Sequence, residues 1–427
     1  DNPPVNALSH GVRLGLKDGI AKALEDDTAA SIVIICSGRT FIAGADITEF
    51  ATGMKEPGLH PVLEAMDNSP KPIVAAIHGT ALGGGLETAL CCHYRVAVAD
   101  AKFGLPEVNL GLLPGAGGTQ RLPRVVGVEK ALDMMTSGKP IAAPEALELG
   151  LADAIAKDDL RTEALAFARD KASQGGALPR VRDRDEKLQG ARENPEIFDL
   201  ARQMLARKAR GFLAPEYNIR CIEAAVNQPF EEGMKTEGKL FMDLMSGPQS
   251  RAQQYFFFSE RQAGKVPGIG KEVEEIPIAK VGVIGAGTMG GGIAMNMANV
   301  GIPVTIVETS QEALDRGLGV IRKNYENSAR KGRISEADVE QRMGLISGSL
   351  QLEDLADCDL VIEAVFENME VKKDIFKRLD ALVKPGAILA SNTSALDLNE
   401  IASATRRPES VIGLHFFSPA NVMKLLE

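Results

Sequence analysis

The chain has 427 residues, which at roughly 150 residues per domain sets a prior of about three domains. An apolar share of 44% and a charged share of 25% belong to a chain that buries substantial cores. A formal charge of −10 argues against nucleic acid as the main partner but leaves room for a local basic groove meeting a phosphorylated small molecule, while 4% aromatics and no Trp argue against an aromatic-lined sugar or single-strand platform.

In chain order, Leu14 to Leu24 reads as a helix with apolar positions at Leu16, Ile20 and Leu24. Ser31 to Cys36 is a buried-strand pattern, followed by a small-residue turn from Thr40 to Asp46. Pro72 to Ile77 and Tyr94 to Ala99 are further strands. Between them, Gly83-Gly84-Gly85 leads into a helix from Leu86 to Cys92. Residues 158–173 turn helical and charged. Residues 174–196, with Arg180, Arg182, Asp183, Arg184 and Asp185, read as a solvated connector. Residues 197–264 favour helix, and Lys265 to Ile278 is the clearest linker. Beyond it, strand and helix patterns alternate as in βαβ units on a parallel sheet.

The five cysteines (Cys36, Cys91, Cys92, Cys221 and Cys358) form no metal-spaced pair and read as plain buried thiols. No apolar run is long enough to span a bilayer. The chain opens at Asp1 without an initiator Met or a secretory signal and stops abruptly at Glu427, which reads as a fragment of something longer.

Chemistry enters first at the two glycine turns. The turn at Ala43-Gly44-Ala45 and the one at Gly83-Gly84-Gly85 can offer backbone N–H groups to one point, as stabilising an enolate oxygen requires. Two carboxylates lie nearby. Glu87 sits in the first turn of the helix, where an acid also favours the helix dipole without any function. Glu107 follows Gly104-Leu105-Pro106 in a loop, where a solvated acid is an equal reading.

The second set lies after the linker. Lys280 to Ile284 is a strand running into Gly285-Ala286-Gly287-Thr288-Met289-Gly290, the G-x-G-x-x-G of a dinucleotide site. Its glycines serve a tight turn, close pyrophosphate approach and helix packing, and the helix N-terminus faces phosphate. The next strand ends in Glu308, whose carboxylate suits ribose hydroxyls and repels a 2′-phosphate, favouring NAD over NADP; FAD would use the same fingerprint. Further strands end in Glu367 and Asn368, in Asn392, Thr393 and Ser394, and in His415. Ligands of open parallel sheets bind at such strand ends, and a His there has the right chemistry for a general base.

Phe41 to Ile47, Ala81 to Glu87 and Gly104 to Gln120 resemble the signature of the crotonase (enoyl-CoA hydratase/isomerase) family. Gly285 to Gly290, Ser391 to Ser394 and Leu414 to Ala420 resemble 3-hydroxyacyl-CoA dehydrogenases. Together, in this order, they resemble the multifunctional enzymes of fatty-acid β-oxidation. The resemblance implies an α/β fold with an N-terminal crotonase domain of ββα superhelix type (1–175), a helical region and linker (176–276) and a C-terminal NAD-binding Rossmann domain (277–427). It implies an oxyanion hole from the N–H groups of Ala45 and Gly84, with Glu107 passing a proton to the α carbon and Glu87 activating water. It implies that His415 takes the 3-hydroxyl proton, oriented by Glu427, and that Ser394 holds the substrate oxygen. Gly285, Gly287, Thr288, Met289, Gly290, Glu308, Ala364, Glu367, Lys372 and Asn392 then match NAD-contacting positions.

The implied activity is hydration of a 2-trans-enoyl-CoA followed by NAD-dependent oxidation. The rivals are an enoyl-CoA isomerase with a dehydrogenase module, and a non-catalytic acyl-CoA and NAD scaffold. Substrates are coenzyme A thioesters, no metal is implied, and thiolase or a second copy is the expected protein partner. Members of the family carry a further helical domain after the dehydrogenase sheet and one more strand at the start of the crotonase core. The 427 residues alone are therefore not expected to complete the dehydrogenation. The stretch Arg202 to Arg210 reads as a solvated helix face, with coenzyme A phosphates as its alternative ligand. The expected compartment is a bacterial cytoplasm, with the peroxisome as alternative.

Overall fold

A computed structural model describes all residues except 50–52, 54, 208 and 271. The chain divides into two units, Asp1–Gly268 and Ile269–Glu427. The helical stretch after residue 175 thus packs within the first unit. Part of the reason is the 174–196 segment, expected to be solvated. Val181, Leu188 and Ala191 bury into the first unit's core, and Arg182 pairs with Glu231.

The strands of the first unit are β1 (Ile32–Ile35), β2 (Ile73–Ile77), β3 (Thr80–Leu82), β4 (Tyr94–Val98), β5 (Lys102–Gly104), β6 (Ile141–Ala142) and β7 (Ala154–Ala156). Every residue of β2 is buried, the pattern of a strand covered on both faces, and it lies inside a parallel sheet ordered β1-β2-β4-β7. A smaller sheet is ordered β3-β5-β6. The helices used below are α1 (His10–Glu25), α2 (Leu59–Asp67), α3 (Gly84–Cys91), α4 (Gly118–Val126), α5 (Leu160–Gln174), α6 (Glu196–Leu205), α7 (Ala214–Asn227), α8 (Phe230–Ser246) and α9 (Pro248–Ala263). α3 is buried along its whole length, so each of its side chains, Glu87 included, faces protein. α5 covers the outer face of the larger sheet through Leu160, Ala164 and Ala168.

The second unit is built on six parallel strands: β8 (Val281–Ile284), β9 (Val304–Val307), β10 (Ile346–Ser349), β11 (Leu360–Glu363), β12 (Ile388–Ser391) and β13 (Val411–Gly413). Their order is β10-β9-β8-β11-β12-β13, so the chain runs outward from β8 in one direction, then returns and runs outward in the other. That reversal beside β8 is the switch point at which doubly wound sheets open a crevice. Separate apolar clusters cover the two faces, one including Ile293 and Tyr325, the other Phe376 and Leu379. α10 (Thr288–Asn299) starts at the crevice, as do α11 (Gln311–Arg330) and α12 (Met369–Leu382) at neighbouring strand ends.

Cys91, Cys92, Cys221 and Cys358 are buried as expected, and burial lifts the Cys91 thiol to about 12. Cys36 is only half-buried. No helix among the described residues is long and apolar enough to cross a membrane.

Candidate active sites

In the first unit the two glycine turns meet. Leu82 N donates to the Ile42 carbonyl, tying the strand that leads into Gly83 to the segment that leads into Gly44. A Cβ built on Gly84 would lie 3.6 Å from the Ala45 nitrogen. Gly84 is the first residue of α3, so its N–H has no partner within the helix. The two amides are neighbours. Gly83 makes this possible with φ 53° and ψ −129°, a conformation L side chains rarely adopt.

Glu107 reaches the same place from the other side. It opens a 3₁₀ turn, Glu107–Leu110, rather than a loop, and a Cβ on Gly83 would lie 2.8 Å from its Oε1. Its Oε2 is sealed from solvent and accepts no hydrogen bond. Burial, and the charges of Glu87 and Glu237, push this carboxyl well above the usual range. Glu87 is 3% exposed, and its Oε1 accepts the N–H groups of Ala116 at 2.7 Å and Gly118 at 2.8 Å. Burial raises it too, but those two amides and Arg121 pull it back. The two acids are therefore unequal: Glu87 is supplied with donors and Glu107 is starved of them.

In the second unit, the strand, turn and helix of the fingerprint form as expected. Gly285 has φ 101°, and a Cβ there would lie 2.8 Å from the Ala364 carbonyl oxygen. A Cβ on Gly290 would collide with the Gly285 carbonyl, whereas one on Gly287 would meet open space. Crowding at the first and third glycines with room at the second is what a bound pyrophosphate needs. Thr288 and Met289 open α10, whose free N–H groups face that space. Glu308 directly follows β9 and accepts the Ala286 N–H at 2.9 Å, so its carboxylate lies against the same turn. These residues fit a dinucleotide.

Farther along the edge, Glu367 accepts from Thr393 Oγ1, from Ser394 N at 3.0 Å and from Ala395 N at 3.3 Å. Asn392 Oδ1 accepts Phe416 N at 2.9 Å, pinning the residue after His415 to the end of β12. His415 Nδ1 lies 3.1 Å from Glu427 Oε2, and the two residues also exchange backbone hydrogen bonds. That leaves Nε2 on the far side of the ring from the carboxylate. Ser394 is exposed at the same edge. Lys372 is placed differently from the expected NAD contact. It is 1% exposed, with its ammonium 2.7 and 2.9 Å from the oxygens of buried Glu363 and 3.4 Å from Glu367. It reaches the site through Glu367.

Residues 1–207 match the enoyl-CoA hydratase/isomerase family, and residues 280–427 match the NAD binding domain of 3-hydroxyacyl-CoA dehydrogenase. The two matched stretches follow one another in that order along the chain. It is 46% identical over 434 residues to the peroxisomal bifunctional enzyme of Cavia porcellus and 45% identical over 434 residues to that of Homo sapiens. The peroxisomal fatty acid beta-oxidation multifunctional protein of Arabidopsis thaliana is 37% identical over 437 residues. These alignments take in 100% of this chain but 59% to 60% of each relative, so it spans about three-fifths of their length. Among solved structures, the (S)-3-hydroxybutyryl-CoA dehydrogenase of Ralstonia eutropha is 39% identical, with a TM-score of 0.35 and 35% of this chain and 53% of that one covered.

One buried acid beside Glu87 escaped the sequence reading. Glu237 in α8 is fully buried and accepts Gly117 N at 2.7 Å and Thr119 N at 3.1 Å. The signal was present in its spacing. Gly233, Glu237, Leu240 and Leu244 form one buried helical stripe, and an acid inside such a stripe needs a reason. The basic stretch 202–210 takes the plainer of its two readings at Arg202, which is held by Glu216 and Glu223. Lys208 lies outside the described residues.

Proposed function

We propose that the intact protein hydrates 2-trans-enoyl-CoA to 3-hydroxyacyl-CoA and then oxidises that product to 3-ketoacyl-CoA with NAD. The observation that carries this reading is the position of donor-starved Glu107 and donor-rich Glu87 beside the Ala45 and Gly84 amides. The thioester carbonyl accepts those two N–H groups, which stabilise the negative charge that develops as water adds to the β carbon. Glu87, as carboxylate, takes a proton from the attacking water. Glu107, kept neutral by burial, gives its proton to the α carbon, and exchange through water restores the pair.

Bound NAD supplies the hydride acceptor for the second step. His415 accepts the proton of the 3-hydroxyl through Nε2, held in orientation by Glu427 on Nδ1. Ser394 offers its hydroxyl to the substrate oxygen. Glu308 accepts from the ribose hydroxyls, and the Thr288 and Met289 end of α10 receives the pyrophosphate. Having both steps on one chain raises the local concentration of the intermediate. The peroxisomal names of the relatives favour a peroxisome over the bacterial cytoplasm as the compartment.

The test is to follow loss of enoyl-CoA and appearance of NADH separately in the intact protein. Glu107→Gln should lower hydration by about 10²- to 10⁴-fold and leave oxidation of supplied 3-hydroxyacyl-CoA unchanged. His415→Gln should do the reverse. Equal loss of both activities in either variant overturns the assignment. Turnover of a 3-enoyl-CoA with none of a 2-enoyl-CoA favours the isomerase, and binding of both ligands without turnover favours the scaffold.

A further inference from the structure

Two carboxylates divide one loop between them. The amides of Ala116, Gly117, Gly118 and Thr119 run consecutively into α4; Glu87 takes the first and third, and Glu237 takes the second and fourth. The Thr119 hydroxyl also donates to Glu237. Neither acid can move without the other's half of the loop moving too. The loop that aims Glu87 is thus shared with a residue of α8, far along the chain.

Packing alone does not call for a carboxylate at this position. A neutral oxygen acceptor caps a helix N-terminus well, and an apolar side chain would complete the stripe of α8. Glu237 instead adds a third buried acid beside Glu87 and Glu107. The titratable and charged groups facing it are Glu87 from α3, Glu107 from its 3₁₀ turn, Arg121 from α4 and Cys221 from α7, with Asp67 of α2 paired to Arg121 behind them. One guanidinium, itself committed to Asp67 at 2.7 Å, stands against three carboxyl groups. The four loop amides go to Glu87 and Glu237, and Glu107 Oε2 accepts nothing, so Glu107 is the last of the three to give up its proton.

We propose that Glu237 is a positioning residue for hydration: it fixes the Ala116–Thr119 loop that aims Glu87, and once ionised it supplies negative charge against which Glu107 holds its proton. This rests on the hydratase reading of Glu87 and Glu107. The two halves of the role are separable, because loop fixing needs the length of the side chain whereas the electrostatic part needs only its charge.

The experiment is the pH profile of kcat/KM for 2-enoyl-CoA in the intact protein, between about pH 5 and 10. In Glu237→Gln the alkaline limb, where Glu107 loses its proton, should move down by about one pH unit. Its kcat should fall about 10- to 100-fold, with KM within about threefold of the parent. Glu237→Asp keeps the charge on a shorter arm, so its kcat should stay low while the limb returns toward the parent position. An unmoved limb in Glu237→Gln, with kcat falling only in step with thermal stability, reduces Glu237 to a packing residue and overturns the proposal. Should Glu237→Gln not fold, Glu237→Asp decides: a limb displaced downward despite the retained charge overturns it equally. Absence of hydration in the unsubstituted protein removes the underlying reading as well. Hydration that Glu107→Gln abolishes, beside an unmoved Glu237→Gln limb, removes only the present one.

Discussion

Glu87 accepts two amide N–H groups through one oxygen, whereas Glu107, which feels the Glu87 charge, keeps a sealed oxygen with no donor at all. Such an unpaired buried carboxyl is a cost to the fold, tolerated where activity needs it. Glu107→Gln should therefore stabilise the first unit while removing hydration. A rise in its melting temperature of about 2–4 °C would correspond to roughly 1 kcal/mol. Differential scanning calorimetry of the two proteins checks this, and a lower melting temperature in the variant would show that the acid is satisfied.

The same cluster gives the first unit an alkaline weakness. Burial and the Glu87 charge push Glu237 up to about 8, and Glu107 is raised as well. A group raised on folding binds more protons in the folded state than in the unfolded one between its ordinary value near 4.5 and its raised one. Its contribution is fully present below the ordinary value and is lost as pH rises through the raised one. Melting of the first unit should accordingly fall from about pH 5 to about pH 8, and Glu237→Gln should flatten that slope. An equal slope in parent and variant would contradict the prediction.

At the dinucleotide turn, neighbouring glycines should respond oppositely to the same substitution. Gly287→Ala places a methyl in open space, so folding should be unaffected while NAD binding weakens about tenfold or more. Gly290→Ala drives a methyl into the Gly285 carbonyl and should destabilise the second unit by about 1–3 kcal/mol. Calorimetric NAD titration beside thermal melts separates the two outcomes.

Strands and glycine turns were legible because each is a local signal. The buried run Ile73–Ile77, the turn at Gly83 and the fingerprint at Gly285 need only a few neighbouring residues to be recognised. What remained hidden depends on distant chain segments. Glu237 belongs to the site because α8 packs on the start of α4, and nothing near it in sequence marks the loop it reaches. Arg182 and Leu188 look solvated among their charged neighbours, yet Glu231 and the core of the first unit claim them. Lys372 likewise matches a family position, but only the register of β11 against α12 reveals that Glu363 takes its charge.

That last pairing allows a prediction about how this strand-end edge is held. Glu363 Oε1 accepts Lys372 Nζ and Val365 N, and its Oε2 accepts Lys372 Nζ and the Ser391 hydroxyl, so the carboxylate joins β11, β12 and α12. Removing the ammonium strands a buried negative charge, and Lys372→Met should cost about 3–5 kcal/mol in the second unit. It also frees Glu367, which Lys372 holds at 3.4 Å and which in turn organises Thr393, Ser394 and Ala395. NAD affinity should therefore fall too, although Lys372 itself is sealed from the crevice. The double variant Lys372→Met with Glu363→Gln removes the stranded charge and should recover much of the stability. It should not recover the affinity, because Glu367 still lacks its cation. Thermal melts and NAD titrations of the single and double variants check both halves, and affinity restored together with stability would mean that Lys372 acts on the fold alone.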